Sequence, residues 1–228
     1  MILKAEQVSK RYFRKTGEAN HFFAVKGASL ELKPGAVTVL MGRSGSGKTT
    51  LLHMLSGLLK PTEGKILLDG TDIYSLDDEG LSKLRNEKIG VVPQGKSALE
   101  TLTVMENILL PVSLYGKASN VQAAEGWLEK LGIASLRDAM PGELSGGELR
   151  RMAIARALIG SPDVVLADEP TGDLDDENTK LVLSVLREAA DMGAAVLIVT
   201  HENEALSYAD QAYRMQNGLL EPYAEKQS

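Results

Sequence analysis

The chain has 228 residues, 43% of them hydrophobic and 25% charged, with a net charge of −6 and no cysteine. That length suits one large domain or two lobes around a shared core. The missing cysteines exclude a disulfide framework and any thiolate metal site and fit a reducing compartment, and the acidic balance argues against a protein that grips nucleic acid through a basic surface. The opening MILKAEQVSK meets a charge after three apolar residues, which is not a secretory signal pattern, and no stretch reaches the ~20 apolar residues of a membrane span.

In chain order the beginning reads as strands. Ala28, Leu30 and Leu32 alternate with Ser29 and Glu31 before a turn at Pro34-Gly35, the pattern of a sheet with one wet face. AVTVLM (36–41) reads as a fully buried strand, followed by GRSGSGKT (42–49) and a helix over TLLHMLSGLL (50–59). KILLDG (65–70) is a short strand after the turn PTEG, DDEGLSKLR (77–85) a short helix and KIGVV (88–92) a strand. From Thr103 to Ile159 the pattern turns helical, with candidates at 103–116, 120–132 and 148–160 and no convincing strand between them. Then come a buried strand (163–169), an amphipathic helix (179–193), a buried strand (194–201) and a hairpin (212–221) turning at Asn217-Gly218. The tail EPYAEKQS is polar and expected to be loose. Alternating buried strands and helices imply a parallel sheet covered on both faces, with the helical stretch of about 95–160 inserted into it.

The chemistry begins at GRSGSGKT, a G-x-x-x-x-G-K-T phosphate-binding loop between a buried strand and a helix. Gly42, Gly45 and Gly47 let the backbone curl so that its N–H groups surround a phosphate, with Arg43, Ser44, Ser46 and Thr50 completing the stretch. Lys48 adds a point charge for the β- and γ-phosphates, and the Thr49 hydroxyl is placed to ligate Mg²⁺. The buried run VVLA ends in Asp168 and Glu169. Unpaired carboxylates at the tip of a buried strand are costly. Downstream of a phosphate loop they read as a magnesium-holding Asp168 and a Glu169 that acts as general base or orients the attacking water. Taken alone they read equally well as a helix cap or loop acids.

Gln94 ends the strand-like IGVVPQ, and His201 ends AAVLIVT. An amide at the first position can ligate Mg²⁺ and touch water. A histidine at the second can bond a γ-phosphate oxygen. The competing readings are a loop glutamine and a structural histidine, the latter also covering His21 and His53. Tyr12 could stack on a base or be an ordinary core or surface aromatic.

LSGGELRR (144–151) poses a different problem. Ser145 and Glu148 spell a capping box for the helix that follows. The box does not require Gly146 and Gly147, each of which costs a helix about 0.5–1 kcal/mol relative to alanine. Bare residues at a helix N-terminus suit close approach of an anion to free N–H groups.

GRSGSGKT, VVPQ, LSGGE, VVLADE, GDLD and VTHE occur in the order and rough spacing of the nucleotide-binding domain of ABC transporters, which the chain resembles over nearly its whole length. DEPTGDLD and MENILLPVSLYG are most similar to the branch of lipoprotein-releasing, macrolide-exporting, antimicrobial-peptide-exporting and cell-division ATPases. The resemblance implies an α/β fold: a P-loop core with a mainly parallel sheet, a small N-terminal antiparallel β lobe and an inserted α-helical lobe, together forming a single domain over 1–228. It makes Tyr12 the adenine-stacking aromatic, Gln94 the Q-loop glutamine and Ser145, Gly146 and Gly147 the signature. Glu169 becomes the catalytic glutamate, Asp175 the D-loop aspartate and His201 the switch histidine.

In this family two domains face each other head to tail, so the signature glycines of one chain face the γ-phosphate of ATP bound by the other. The expected cofactors are ATP and Mg²⁺. The expected partners are a second copy and an integral membrane permease, with the ATPase peripheral on the cytoplasmic face and no nucleic acid involved. An ATP-driven mechanical regulator that moves no cargo is the alternative. A ribosome-acting or DNA-repair relative would carry a second cassette or a long coiled coil, and a GTPase an N-K-x-D motif. The chain departs from the family with Glu148 where glutamine is commoner, and with GKSAL after Gln94 where an aromatic and an asparagine are usual. The second departure leaves the permease and its cargo open.

Overall fold

In the computed structural model, which describes residues 2–13, 21–95, 97–114, 120–172 and 174–223, two sheets divide the strands. The larger takes the buried runs: β3 (Val37–Met41), β6 (Ile89–Val92), β7 (Val164–Asp168) and β8 (Ala195–Thr200), with the hairpin strands β9 (Gln211–Gln216) and β10 (Leu219–Pro222) at one edge. Its order is β10-β9-β3-β8-β7-β6, with β9 to β6 parallel and β10 antiparallel. Along β8 all six residues are buried, yet they serve two cores. Ala195, Leu197 and Val199 face one, and Val196 and Ile198 the other. This alternation within five apolar residues ahead of Thr200 is why the strand looks continuous in sequence.

The smaller sheet has the order β2-β1-β4-β5 and is antiparallel, from β1 (Leu3–Phe13), β2 (His21–Leu32), β4 (Glu63–Leu68) and β5 (Thr71–Asp72). It is only half N-terminal, because the chain returns to it after the phosphate loop to pair Leu68 with Leu3. Between the two sheets lies α1 (Lys48–Leu55), burying Leu51, Leu52, Met54 and Leu55. At about 1.5–3 kcal/mol per buried aliphatic side chain, these four fix α1, and so the loop before it, against both sheets. The helix begins two residues earlier than the sequence suggests and stops at Leu55 rather than Leu59, because Ser56 ends it and Gly57 turns left-handed at φ +74°.

The opposite face of the large sheet is covered by α5 (Gly146–Leu158) and α6 (Asp176–Asp191), with α3 (Val104–Ser113) and α4 (Val121–Lys130) packed beyond. A short α2 (Asp78–Lys88), capped by Asp77, precedes β6. Four 3₁₀ turns, at Ile73–Ser75, Ala134–Leu136, Pro141–Glu143 and Asn203–Tyr208, have no counterpart in the sequence reading. Of the tail expected to be loose, Glu221 and Pro222 belong to β10, while 224–228 lie outside the described residues, as do 115–116 of the third predicted helix. No helix among the described residues is long and apolar enough to cross a membrane.

Candidate functional site

The site lies at the C-terminal ends of β3, β6, β7 and β8, where a parallel sheet delivers every strand end to one rim. At the end of β3 the chain turns sharply into the phosphate loop. A Cβ on Gly42 would stand 2.5 Å from the Met215 carbonyl, and one on Gly47, at φ +109°, would stand 2.1 Å from the Ala24 carbonyl. Both glycines are therefore demanded by the chain's own backbone. Among the described residues no side chain caps α1, which leaves its first-turn N–H groups free for an anion. Lys48 is nearly buried, its Nζ donating to the carbonyls of Gly42 (2.6 Å) and Arg43 (3.3 Å) and lying 3.7 Å from Glu169 Oε1.

Asp168 closes β7 with 1% of its surface exposed. Neither of its carboxylate oxygens has a hydrogen-bond partner among the described residues. Burial pushes the carboxyl up from the usual carboxylate range. The Thr49 hydroxyl opposes that shift without reaching good hydrogen-bond geometry, and Glu169 adds repulsion. Two orphaned anionic oxygens facing a hydroxyl form a donor set for a hard divalent cation such as Mg²⁺. Glu169, next along, has left-handed backbone at φ +48° and donates its N–H to the Val199 carbonyl at 2.7 Å. Such a conformation in a residue other than glycine is paid for elsewhere in the fold and is typical of functional sites. It turns the side chain to meet His201, whose Nδ1 is 2.9 Å from Oε2.

One open cleft of about 1430 Å³ is lined by the loop from Arg43 to Thr50 and by Tyr12, Gln94, Glu169 and His201. Gly42 and Asp168 are not among the residues that line it. Tyr12 stacks on Phe22 with ring centroids 5.7 Å apart. Sequence reasoning missed much of the lining of this cleft, Phe22, Arg150 and the hairpin turn Asn217-Gly218 among it. The pairing of Tyr12 with Phe22 depends on a register broken by bulges, and Arg150 sits on a helix with nothing local to mark it.

Ser145, Gly146, Gly147 and Asp175 lie outside the cleft. The capping box is present: Glu148 N–H donates to Ser145 Oγ, and Glu148 Oε2 accepts from both Ser145 N–H and Oγ at 2.7 Å. The one hydroxyl proton of Ser145 is thus taken, so donation to a phosphate requires exchange of that bond, a condition the sequence did not reveal. The glycines are not equivalent either. A Cβ on Gly147 would meet Leu174 at 3.0 Å, whereas one on Gly146 meets no atom of the described residues within 4 Å. Asp175 caps α6, accepting from Asn178 N–H at 2.8 Å, and that bond holds its carboxyl below the usual range.

The family model described as ABC transporter matches residues 25–172. The chain belongs to the ABC transporter family. It is an ABC-type ATPase. It is 39% identical over 224 residues to the lipoprotein-releasing system ATP-binding protein LolD of Buchnera aphidicola subsp. Schizaphis graminum, covering 96% of each. It is 40% identical over 199 residues to the macrolide export ATP-binding/permease protein MacB of Chlorobium luteolum, covering 86% of this chain and 30% of that one. Among solved structures, the dimeric structure of the ABC transporter cassette MJ0796 superposes with a TM-score of 0.88 at 33% identity, covering 96% of this chain and 98% of that one. The same figures hold for MJ0796 in a dimeric post-hydrolysis state bound to ADP and Pi.

Proposed function

We propose that the chain hydrolyses ATP in this cleft as one of two facing copies and drives a separate membrane permease, bound peripherally at the cytoplasmic face. The observation that carries the reading is the convergence of the phosphate loop, Gln94, Glu169 and His201 on one cleft. Tyr12 stacks on the adenine, the loop N–H groups cradle the phosphates, and Lys48 exchanges its loop carbonyls for phosphate oxygens. Thr49, Asp168 and Gln94 are the residues that would hold Mg²⁺. When bound, the ion neutralises charge on the phosphate oxygens. Glu169 takes a proton from the attacking water as its oxygen bonds the γ-phosphorus and the bond to the bridging β–γ oxygen breaks, releasing ADP and phosphate. Glu169 also orients His201, which bonds the γ-phosphoryl group.

Ser145 and Gly146 complete the site of the opposite copy, with Asp175 beside that junction. The space before Gly146 and the dimeric cassette at 33% identity support this pairing. The helical region of about 95–160 acts as the inserted lobe that presents the signature. Near full-length similarity to ATP-binding proteins of lipoprotein-releasing systems supports a permease of that type, and the MacB relative carries an ATP-binding/permease name on a longer chain.

The test is purification from membranes together with bound proteins, followed by Mg²⁺-dependent hydrolysis with and without them. Co-purification of a polytopic protein that changes the ATPase rate is expected. An ATPase rate unaffected by every membrane protein that binds contradicts the permease reading.

A further inference from the structure

His201 is aimed by its backbone. Its side chain is 65% exposed, and the ring has one hydrogen-bond partner among the described residues, Glu169. Where the ring points therefore depends on how the chain is held on either side of it. Before it, Thr200 ends β8 fully buried. After it, Glu202 donates its N–H back to Thr200 Oγ1 at 3.1 Å and closes a turn around the histidine. The Glu202 side chain then leaves β8 altogether: its carboxylate oxygen Oε2 accepts from the Thr171 hydroxyl.

Thr171 is 1% exposed and lies in the turn that presents Glu169. Gly172 closes that turn by donating its N–H to the Glu169 carbonyl at 3.2 Å, and the Glu169 N–H anchors it on β8. The loops leaving β7 and β8 are thus tied twice. One tie joins Glu169 to His201, both of which line the cleft, and the other joins Thr171 to Glu202. Packing alone does not ask for a carboxylate in the second tie. Glu202 is half-buried and forms no ion pair among the described residues. Taking a carboxylate partly out of water to meet one hydroxyl is costly, and an apolar pair of similar size avoids that cost. What a hydroxyl–carboxylate bond supplies in return is a short, directed link.

We propose that Thr171 and Glu202 are positioning residues for His201. Their bond fixes the turn that holds the histidine against the turn that holds Glu169, and so sets where the imidazole meets the γ-phosphoryl group. This rests on the reading of His201 as the group that bonds that phosphoryl. The bond involves neither the phosphate loop nor Tyr12, so it bears on the reaction and not on ATP affinity. It needs an acceptor at position 202 rather than a charge, because an amide oxygen there accepts from the same hydroxyl.

The experiment compares Thr171→Val, Thr171→Ser, Glu202→Ala and Glu202→Gln, each alone and with His201→Ala. It measures kcat, KM for ATP, ATP affinity at equilibrium and thermal stability. Thr171→Val and Glu202→Ala cut the bond from opposite ends, and each is expected to lower kcat about tenfold with ATP affinity within about twofold of wild type. Thr171→Ser and Glu202→Gln keep a donor and an acceptor in place and hold kcat within about threefold of wild type. Glu202→Ala removes the less buried partner and reads the same bond if Thr171→Val does not fold. In the His201→Ala background none of the four costs more than about twofold in kcat. Wild-type kcat in His201→Ala contradicts the reading of His201 itself. A slow His201→Ala alongside wild-type kcat in Thr171→Val and Glu202→Ala overturns the positioning role alone. The same role is overturned by a Glu202→Gln as slow as Glu202→Ala, by effects that multiply in full with that of His201→Ala, or by losses of stability and ATP affinity at unchanged kcat.

Discussion

The two glycine-rich turns at helix N-termini, 42–47 before α1 and 145–147 before α5, invite the same explanation and receive different ones. In the first, Gly42 and Gly47 are required by backbone carbonyls 2.5 and 2.1 Å from where a Cβ would sit. The turn is closed by its own chain, and Lys48 is fastened inside it. In the second, the helix is capped by a complete capping box, and Gly147 is crowded by Leu174, but Gly146 faces open space. One turn is finished within the monomer. The other holds a residue, Gly146, whose cost no contact among the described residues explains.

This contrast can be broken by substitution. Gly47→Ala is expected to have the largest effect, destabilising the fold by roughly 2–4 kcal/mol through the φ of +109° and the clash with the Ala24 carbonyl, and to abolish nucleotide binding. Thermal unfolding and binding of a fluorescent ATP analogue check it together. Lys48→Ala is expected to leave the fold intact but weaken ATP binding on the order of a hundredfold, as a charge-assisted set of bonds is lost. Unchanged affinity in the same binding assay would remove the phosphate-loop assignment. His201→Ala is expected to spare binding and slow single-turnover hydrolysis on the order of a hundredfold, because Glu169 loses its partner and the γ-phosphate loses a contact. Gly146→Ala sharpens the contrast from the other side. Stability should be unchanged or raised by up to about 1 kcal/mol, and ATP binding to single chains unaltered, while steady-state hydrolysis falls about tenfold. A fully active Gly146→Ala returns the glycine to chance.

Contiguity decided how much of this was legible in the sequence. The phosphate loop, the buried strands β3, β7 and β8 and the acidic pair Asp168-Glu169 are local patterns, and each marks its own place on the sheet rim. The helices were found by periodicity, but the end of α1 was not, since SGLL continues an apolar pattern that Gly57 breaks only through its backbone. The return of β4 to the first sheet was hidden for a related reason. A six-residue strand beginning EGK carries little alternation, and its pairing partner lies more than fifty residues away. The bonds from Arg150 to Pro93 and from Arg156 to Ser97 span 57 and 59 residues, and a helix sequence does not say which of its arginines reach a distant carbonyl. Ser145 could be read as a cap, but that Glu148 takes its only proton depended on rotamers that spacing does not fix.

The central claim is that Ser145 and Gly146 serve ATP held by another copy, and one measurement bears on it most directly. Glu169→Gln keeps the shape of the glutamate, cannot accept the proton and removes a negative charge near the γ-phosphate, so ATP is bound but not consumed. Light scattering of this variant should give a monomer without nucleotide and a dimer with ATP. Adding Ser145→Arg, which fills the approach to the signature without touching the phosphate loop, should abolish the dimer while each chain retains its ATP affinity. A dimer that persists with Ser145→Arg contradicts the account, and the turn before α5 is then no more than a helix cap with a costly glycine.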